Sequence, residues 1–216
     1  MAQLKLGVLA SGRGSNFAAL VAAIQQRRLT ATVRVLISNK EDAGALAIAQ
    51  QNGIPALFLS PKAFASTEHY DDEIARTFIK YNVNFVVLAG YLRLLSVDFI
   101  RTYTNRIINI HPALLPAFGG KGMYGIHVHE AVLAHGCKVS GVTLHLVDEI
   151  FDHGPIILQR CVPVLADDTP ETLAARVLVQ EHQIYAEALQ LFAEGRVKIE
   201  GCRARILPGS CNEACQ

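Results

Sequence analysis

No uninterrupted apolar stretch of about 18 residues occurs anywhere in this 216-residue chain, although 51% of it is hydrophobic, which argues against a membrane-spanning helix. Excess charge of either sign is also missing. Lys plus Arg number 20 against 19 for Asp plus Glu, so no broad basic face is available for nucleic acid, and only a local anion site fits that balance. No basic region, apolar run and cleavage site precede the first strand-like segment, Leu4-Lys5-Leu6-Gly7-Val8-Leu9-Ala10, so a cytoplasmic location is expected. The five cysteines, Cys137, Cys161, Cys202, Cys211 and Cys215, are odd in number, widely scattered and form no CxxC pair. Reduced thiols are the expectation, and Cys211 with Cys215 lacks the second ligand pair of a zinc site.

What is present is a regular alternation. Short runs rich in Val, Ile and Leu at 4–10, 32–38, 56–59, 84–89, 106–110, 138–147 and 155–164 read as strands. Helical patterns lie at 16–28, 43–52, 68–81 and 96–103, and a long one runs from Pro170 to about Glu194. Strands apolar on both faces, separated by helices, predict an α/β fold with a doubly wound, mostly parallel sheet of Rossmann-like type. Only Glu149 to Gly154 separate the last two strands, too few for a parallel crossover, so they are expected to pair as an antiparallel hairpin at one edge. The length fits one catalytic domain over 1–207, and the small-residue tail at 208–216 is expected to be disordered.

The first strand opens into Ser11-Gly12-Arg13-Gly14-Ser15-Asn16-Phe17 and then a helix. Glycines let the backbone approach an anion, and a helix N-terminus offers unpaired N–H groups with a favourable dipole. The run fails as a dinucleotide fingerprint: Phe17 stands where a third small residue is needed, and the second strand ends in Ser38-Asn39-Lys40 with no carboxylate. Gly120-Lys121-Gly122 likewise lacks the hydroxyl residue and upstream glycine of a nucleoside-triphosphate loop. A monophosphate cradle and a tight structural turn are the two readings of the segment.

Pro112 stops the apolar run Arg106-Ile107-Ile108-Asn109-Ile110 just after His111, which delivers Asn109 and His111 to a strand end. Two positions apart, they point to the same side of the sheet, where an amide and an imidazole N–H can converge on an oxygen that gains negative charge, as in acyl transfer. A carboxylate such as Asp152 would hold the imidazole and favour its charged form. Taken singly, a strand-end His and an Asn before Pro are more often hydrogen-bonded structural residues.

The combination of Asn109-Ile110-His111-Pro112 with His145-Leu146-Val147-Asp148-Glu149-Ile150-Phe151-Asp152-His153-Gly154-Pro155 resembles the two-part signature of the folate-dependent formyltransferases. The likeness extends over roughly residues 4–200 and is strongest to members that formylate glycinamide ribonucleotide. It implies the formyltransferase fold, 10-formyltetrahydrofolate as co-substrate, glycinamide ribonucleotide as acceptor and no metal. It also implies catalytic roles for Asn109, His111 and Asp152, with His145 in support. By the same resemblance Gly12, Arg13, Gly14, Ser15 and Asn16 bind the phosphate, and Glu181 contacts the ribose hydroxyls. Some members carry a Lys three residues before that Glu, where this chain has Leu178. Leu92, Arg93, Leu94, Leu95, Asn109, Val147 and Asp148 would form the pterin pocket, with Arg93 near the acidic side of the folate.

The glycine-rich stretch from Phe118 to His129 reads as a mobile lid running into a helix; of the three nearby histidines, His127, His129 and His135, the first two, two apart at a helix start, do not share a face suited to a metal. Other members of the same family are deformylases, which carry an extra N-terminal domain, and transfer-RNA formyltransferases, which carry a C-terminal one. A nucleotide-binding regulatory module is the competing reading from another class. The expected partners are small molecules rather than nucleic acid or membrane, and a homodimer is compatible with all of this.

Overall fold

Seven of the β-branched and leucine-rich runs join one sheet because each must find ladder partners for its backbone, and the central ones are buried on both faces. The computed structural model describes residues 3–209. In chain order the elements are β1 (Leu4–Ala10), α1 (Ser15–Gln25), β2 (Ala31–Ser38), α2 (Gly44–Gln51), β3 (Ala56–Phe58), α3 (Thr67–Lys80), β4 (Phe85–Leu88), α4 (Val97–Thr102) and β5 (Ile107–His111). There follow α5 (Ile126–Ala134), β6 (Val139–Leu146), β7 (Ile156–Pro163), α6 (Pro170–Ala193), β8 (Val197–Glu200) and β9 (Arg203–Ile206).

The sheet order is β3-β2-β1-β4-β5-β6-β7. Strands β1 to β5 run parallel, β6 turns back against β5, and β7 pairs antiparallel with β6 at the edge. The expected topology is therefore the observed one. A small antiparallel pair, β8 with β9, had no counterpart among the expected elements. The final residues 210–216, with Cys211 and Cys215, lie outside the described residues, as does most of the expected tail.

Helices α1, α2, α5 and α6 contribute to an apolar layer on one face, centred on Phe17, Leu20, Val177 and Tyr185, while α3 and α4 pack Tyr70, Ile74, Phe78 and Phe99 against the other. The order in which strands join the sheet reverses between β1 and β4, so the loops leaving their C-terminal ends diverge and open a crevice there. Tyr185 of α6 reaches across under that crevice. Its fully buried hydroxyl lies 2.9 Å from the Leu88 carbonyl and 3.3 Å from that of Ile108, which ties the ends of β4 and β5 to the long helix. Thr169 starts that helix with a capping box closed by Thr172, and Pro170 occupies its first turn.

Candidate active site

A cavity of about 690 Å³ opens at the reversal point. That is the size of a small-molecule site, and its walls come from the loops after β1, β4, β5 and β6 together with α6.

At its centre, β5 presents Asn109 and His111 on one side, as the alternation requires. His145 stands opposite Asn109 in the β5–β6 register, and the Asn109 amide nitrogen lies 3.1 Å from His145 Nε2. The other His145 nitrogen, Nδ1, donates to the Leu146 carbonyl at 2.9 Å, which leaves Nε2 as the acceptor for that amide. His111 donates from Nε2 to the Phe118 carbonyl at 2.8 Å and turns Nδ1 toward Asp152 Oδ2 at 3.5 Å. Asp152 Oδ1 lies 3.6 Å from His145 Nε2, so one carboxylate faces two imidazoles, each at ion-pair rather than hydrogen-bond distance.

Two residues beside His111 hold unusual backbone conformations. Phe118 and Asp152 both adopt positive φ, 54° and 50°, in the left-handed region that side chains disfavour. At Phe118 this conformation accompanies the carbonyl that meets His111; at Asp152 it places the carboxylate between the imidazoles and lets Oδ2 accept the Gly120 N–H at 2.9 Å. Gly119 allows the two loops to touch, because a Cβ there would lie 2.6 Å from Leu115 and 3.2 Å from the Asp152 Cβ. Thr143 fixes the turn after His111: its buried hydroxyl donates to the Ala113 carbonyl and accepts from Leu115 N and Gln159. It is thereby fully engaged and no free nucleophile.

Burial shifts these groups. It pushes the His111 imidazole below its ordinary value, and although the Asp152 charge and the Phe118 carbonyl pull upward, they do not restore it. Asp152 acts to raise the proton affinity of His111 and desolvation acts against it more strongly, so the imidazole sits below its ordinary value. Burial acts to raise Asp152, yet the contact with His145, the Gly120 N–H and the two imidazoles outweigh it and hold the carboxyl below the ordinary carboxylate range.

At one end of the cavity stand Arg13 and Asn16 from the loop after β1, with Leu178 and Glu181 from α6. Asn16 donates to Glu181 Oε2 at 2.7 Å in a buried contact, and burial raises the Glu181 carboxyl above its ordinary value despite that bond. Gly14 is the N-cap of α1 at φ 81°, with no side chain capping the helix, which leaves the amides of the first turn free for an anion. A Cβ at Gly14 would also meet the Ala45 backbone at 2.7 Å, so this glycine is required by packing whether or not an anion binds. Gly12, in contrast, faces open space, and Arg13 is exposed.

The other end is apolar. Leu92 and Leu94 stand exposed in the irregular segment after β4, Leu95 is buried beneath, and Val147 and Asp148 face them with Ile150 and Phe151. The Asp148 carboxylate accepts from Ile150 N and contacts His153 at 2.7 Å, which shapes this turn. Arg93 lines the cavity, and its guanidinium lies over the Tyr70 ring, 5.2 Å from the centroid.

The sequence-expected residues thus gather around one cavity, except that Gly12, Gly14 and Ser15 belong to its rim loop rather than its wall. Sequence reasoning missed the Phe118 carbonyl, for which no residue-type signal exists, and the Gly120 amide, which the glycine run could have suggested. It also missed His129, buried beside His111 and shifted downward by burial; His127 pairs with Glu130 on the surface, and His135 bonds the Ala131 carbonyl. Among the described residues, no group of three His, Cys, Asp or Glu side chains is arranged to hold a metal ion.

A family model described as formyl transferase matches residues 4–189. A phosphoribosylglycinamide formyltransferase of Escherichia coli is 41% identical over 196 residues, 91% of this chain and 90% of that protein. A chloroplastic protein of that name from Vigna unguiculata is 49% identical over 194 residues, but there the chain spans only 62% of the relative's length. The crystal structure of glycinamide ribonucleotide transformylase 1 from Symbiobacterium toebii superposes with a TM-score of 0.91 at 45% identity, covering 95% of each chain.

Proposed function

The chain belongs to the formyl transferase family, and from that premise we propose that it transfers the formyl group of 10-formyltetrahydrofolate to the amine of glycinamide ribonucleotide, releasing tetrahydrofolate in de novo purine biosynthesis. The observation that carries this reading is the continuity of one cavity. The polar end with Arg13, Asn16 and Glu181 suits a phosphoribosyl group, and the apolar end at Leu92, Leu94 and Val147 suits a flat heteroaromatic ring. Asn109, His111 and Asp152 line the same cavity. A bisubstrate reaction needs this arrangement, because holding both reactants converts a bimolecular step into an effectively unimolecular one.

The chemistry follows from the centre. The glycinamide amine attacks the formyl carbon, the new C–N bond forms, and the carbonyl oxygen becomes an alkoxide. Asn109 supplies an N–H to that oxygen, and His111, whose Nε2–H is taken by the Phe118 carbonyl, supplies a second from Nδ1 once that nitrogen carries the proton. Collapse of the adduct breaks the bond to the folate nitrogen. The proton lost by the amine must reach that nitrogen, and Asp152, ionised at neutral pH, accepts it and passes it on through His111. His145 holds the Asn109 amide and flanks the carboxylate. Free thiols at Cys137, Cys161 and Cys202 suit a reducing compartment such as the cytoplasm.

The test is the rate of tetrahydrofolate release from 10-formyltetrahydrofolate with and without glycinamide ribonucleotide. Release is expected only with the acceptor present, in equal amount to formylated product. Rapid release without acceptor would make the protein a deformylase instead.

A further inference from the structure

Residues 90–96 form the apolar wall yet contain no helix or strand of their own, so something outside the segment must fix its shape. Its side chains alternate: Tyr91 and Leu95 are buried, while Leu92 and Leu94 stand about half exposed toward the cavity. Packing of the two buried residues sets which face is presented. It does not set the position of the backbone along the cavity.

Two buried polar side chains do. Ser11, at the end of β1, donates its hydroxyl to Asn39 Oδ1 at 2.7 Å and accepts the Leu92 N–H at 3.1 Å, while its own N–H bonds the Gly90 carbonyl at 3.1 Å. At the far end, Asp71 of α3 accepts the Ser96 N–H through Oδ2 at 2.5 Å, and Ser96 in turn caps α4 by accepting from Phe99 N. Asp71 is 1% exposed and Ser11 2%, and neither lines the cavity. Burial pushes the Asp71 carboxyl up, opposed by the Ser96 N–H and by the charge of Arg93. The buried carboxyl thus has a cost, and the backbone amide of Ser96 is what it is spent on.

We propose that Ser11 and Asp71 are positioning residues for the folate subsite, pinning the two ends of the 90–96 segment so that Leu92, Leu94 and the backbone between them meet the pterin ring in one fixed arrangement. This rests on the reading of that segment as the folate wall.

The experiment is calorimetric titration of the full chain and of Ser11→Ala, Asp71→Ala and Asp71→Asn with tetrahydrofolate and, separately, with glycinamide ribonucleotide. Ser11→Ala and Asp71→Ala are expected to weaken tetrahydrofolate binding about tenfold, the scale of one buried hydrogen bond, with the ribonucleotide's Kd changed by less than about twofold. Asp71→Asn keeps a carbonyl acceptor for the Ser96 N–H and is expected to restore most of the loss. The KM for 10-formyltetrahydrofolate should rise in parallel while kcat stays near that of the parent. Equal weakening of both ligands, or none, overturns the proposal. If Asp71→Ala melts below the assay temperature, Ser11→Ala and Asp71→Asn decide the matter. A parent chain that binds no tetrahydrofolate would instead overturn the folate reading of the wall itself, and the proposal with it.

Discussion

Asn16 and Glu181, 165 residues apart in sequence, meet at 2.7 Å inside the cavity, where the amide of the α1 first turn donates to a carboxylate buried on the long helix. The contact ties α1 to α6, and both residues line the cavity. Burial, which the contact only partly offsets, makes Glu181 an electrostatic burden on the fold.

Glu181 therefore carries a prediction with a definite sign. Its folded-state value lies above the ordinary 4.5, chiefly through burial, so the group favours folding below the unfolded value and loses that contribution as pH rises through the folded one. Glu181→Gln keeps the shape and an acceptor for Asn16. It should melt higher than the parent at about pH 8, with the difference vanishing near about pH 4. The same variant should raise the KM for glycinamide ribonucleotide more than that for the folate. Thermal melts across the pH range check the first statement and two-substrate kinetics the second; a parent more stable than the variant at alkaline pH would contradict it.

The loop after β1 separates into residues that pack and residues that bind. Gly14→Val should cost roughly 1–3 kcal/mol or more of stability, since both the positive φ and the Ala45 contact oppose it, and the loss of activity would then say little about phosphate. Arg13→Ala removes an exposed cation from the cavity rim and leaves packing intact. Its melting temperature should match the parent's while the ribonucleotide KM rises about tenfold, as expected for one charge-assisted contact. An unchanged KM would mean that the backbone amides alone hold the anion.

Asp152→Asn should preserve the fold, because the amide oxygen can still accept the Gly120 N–H. Turnover should fall by at least roughly a hundredfold, the scale of a lost acid–base group, with little change in either KM. Near-parental turnover would remove Asp152 from the proton path. The double variant with Asn109→Ala should lose less than the product of the single losses, since both groups serve one adduct.

Much of this was legible in the sequence, for identifiable reasons. Pro112 marks the end of β5, so the placement of Asn109 and His111 followed from strand periodicity, and the short 149–154 link required an antiparallel β6–β7 pair. What could not be read depended on partners far along the chain. Nothing local marks Asp71 as the acceptor for Ser96, 25 residues away, or Ser11 as the partner of Leu92, 81 away. The β8–β9 pair escaped because each strand has four residues, alternately half-buried and exposed, with charged side chains outward. The alternation Val197-Lys198-Ile199-Glu200 before Gly201 was its only signal. Sequence shows the carboxylate beside His111 but not the burial that opposes it.

That last point can be measured directly, apart from any rate. His111 sits below its ordinary 6.5 because desolvation dominates, while the Asp152 charge at 3.5 Å pulls the other way. Removing that charge in Asp152→Asn leaves desolvation less opposed, so the imidazole should titrate at still lower pH in the variant than in the parent. Linkage gives a second reading of the same shift. A histidine whose folded value is depressed costs stability as pH falls from the unfolded value toward the folded one, so the acid-side loss attributable to His111 should extend to lower pH in the variant. Nuclear magnetic resonance of the ring carbons, assigned by comparison with His111→Gln, would follow both proteins between about pH 4 and 8. A His111 titration that moves upward in Asp152→Asn would show that the carboxylate does not stabilise the imidazolium, and the proton path through this pair would have to be abandoned.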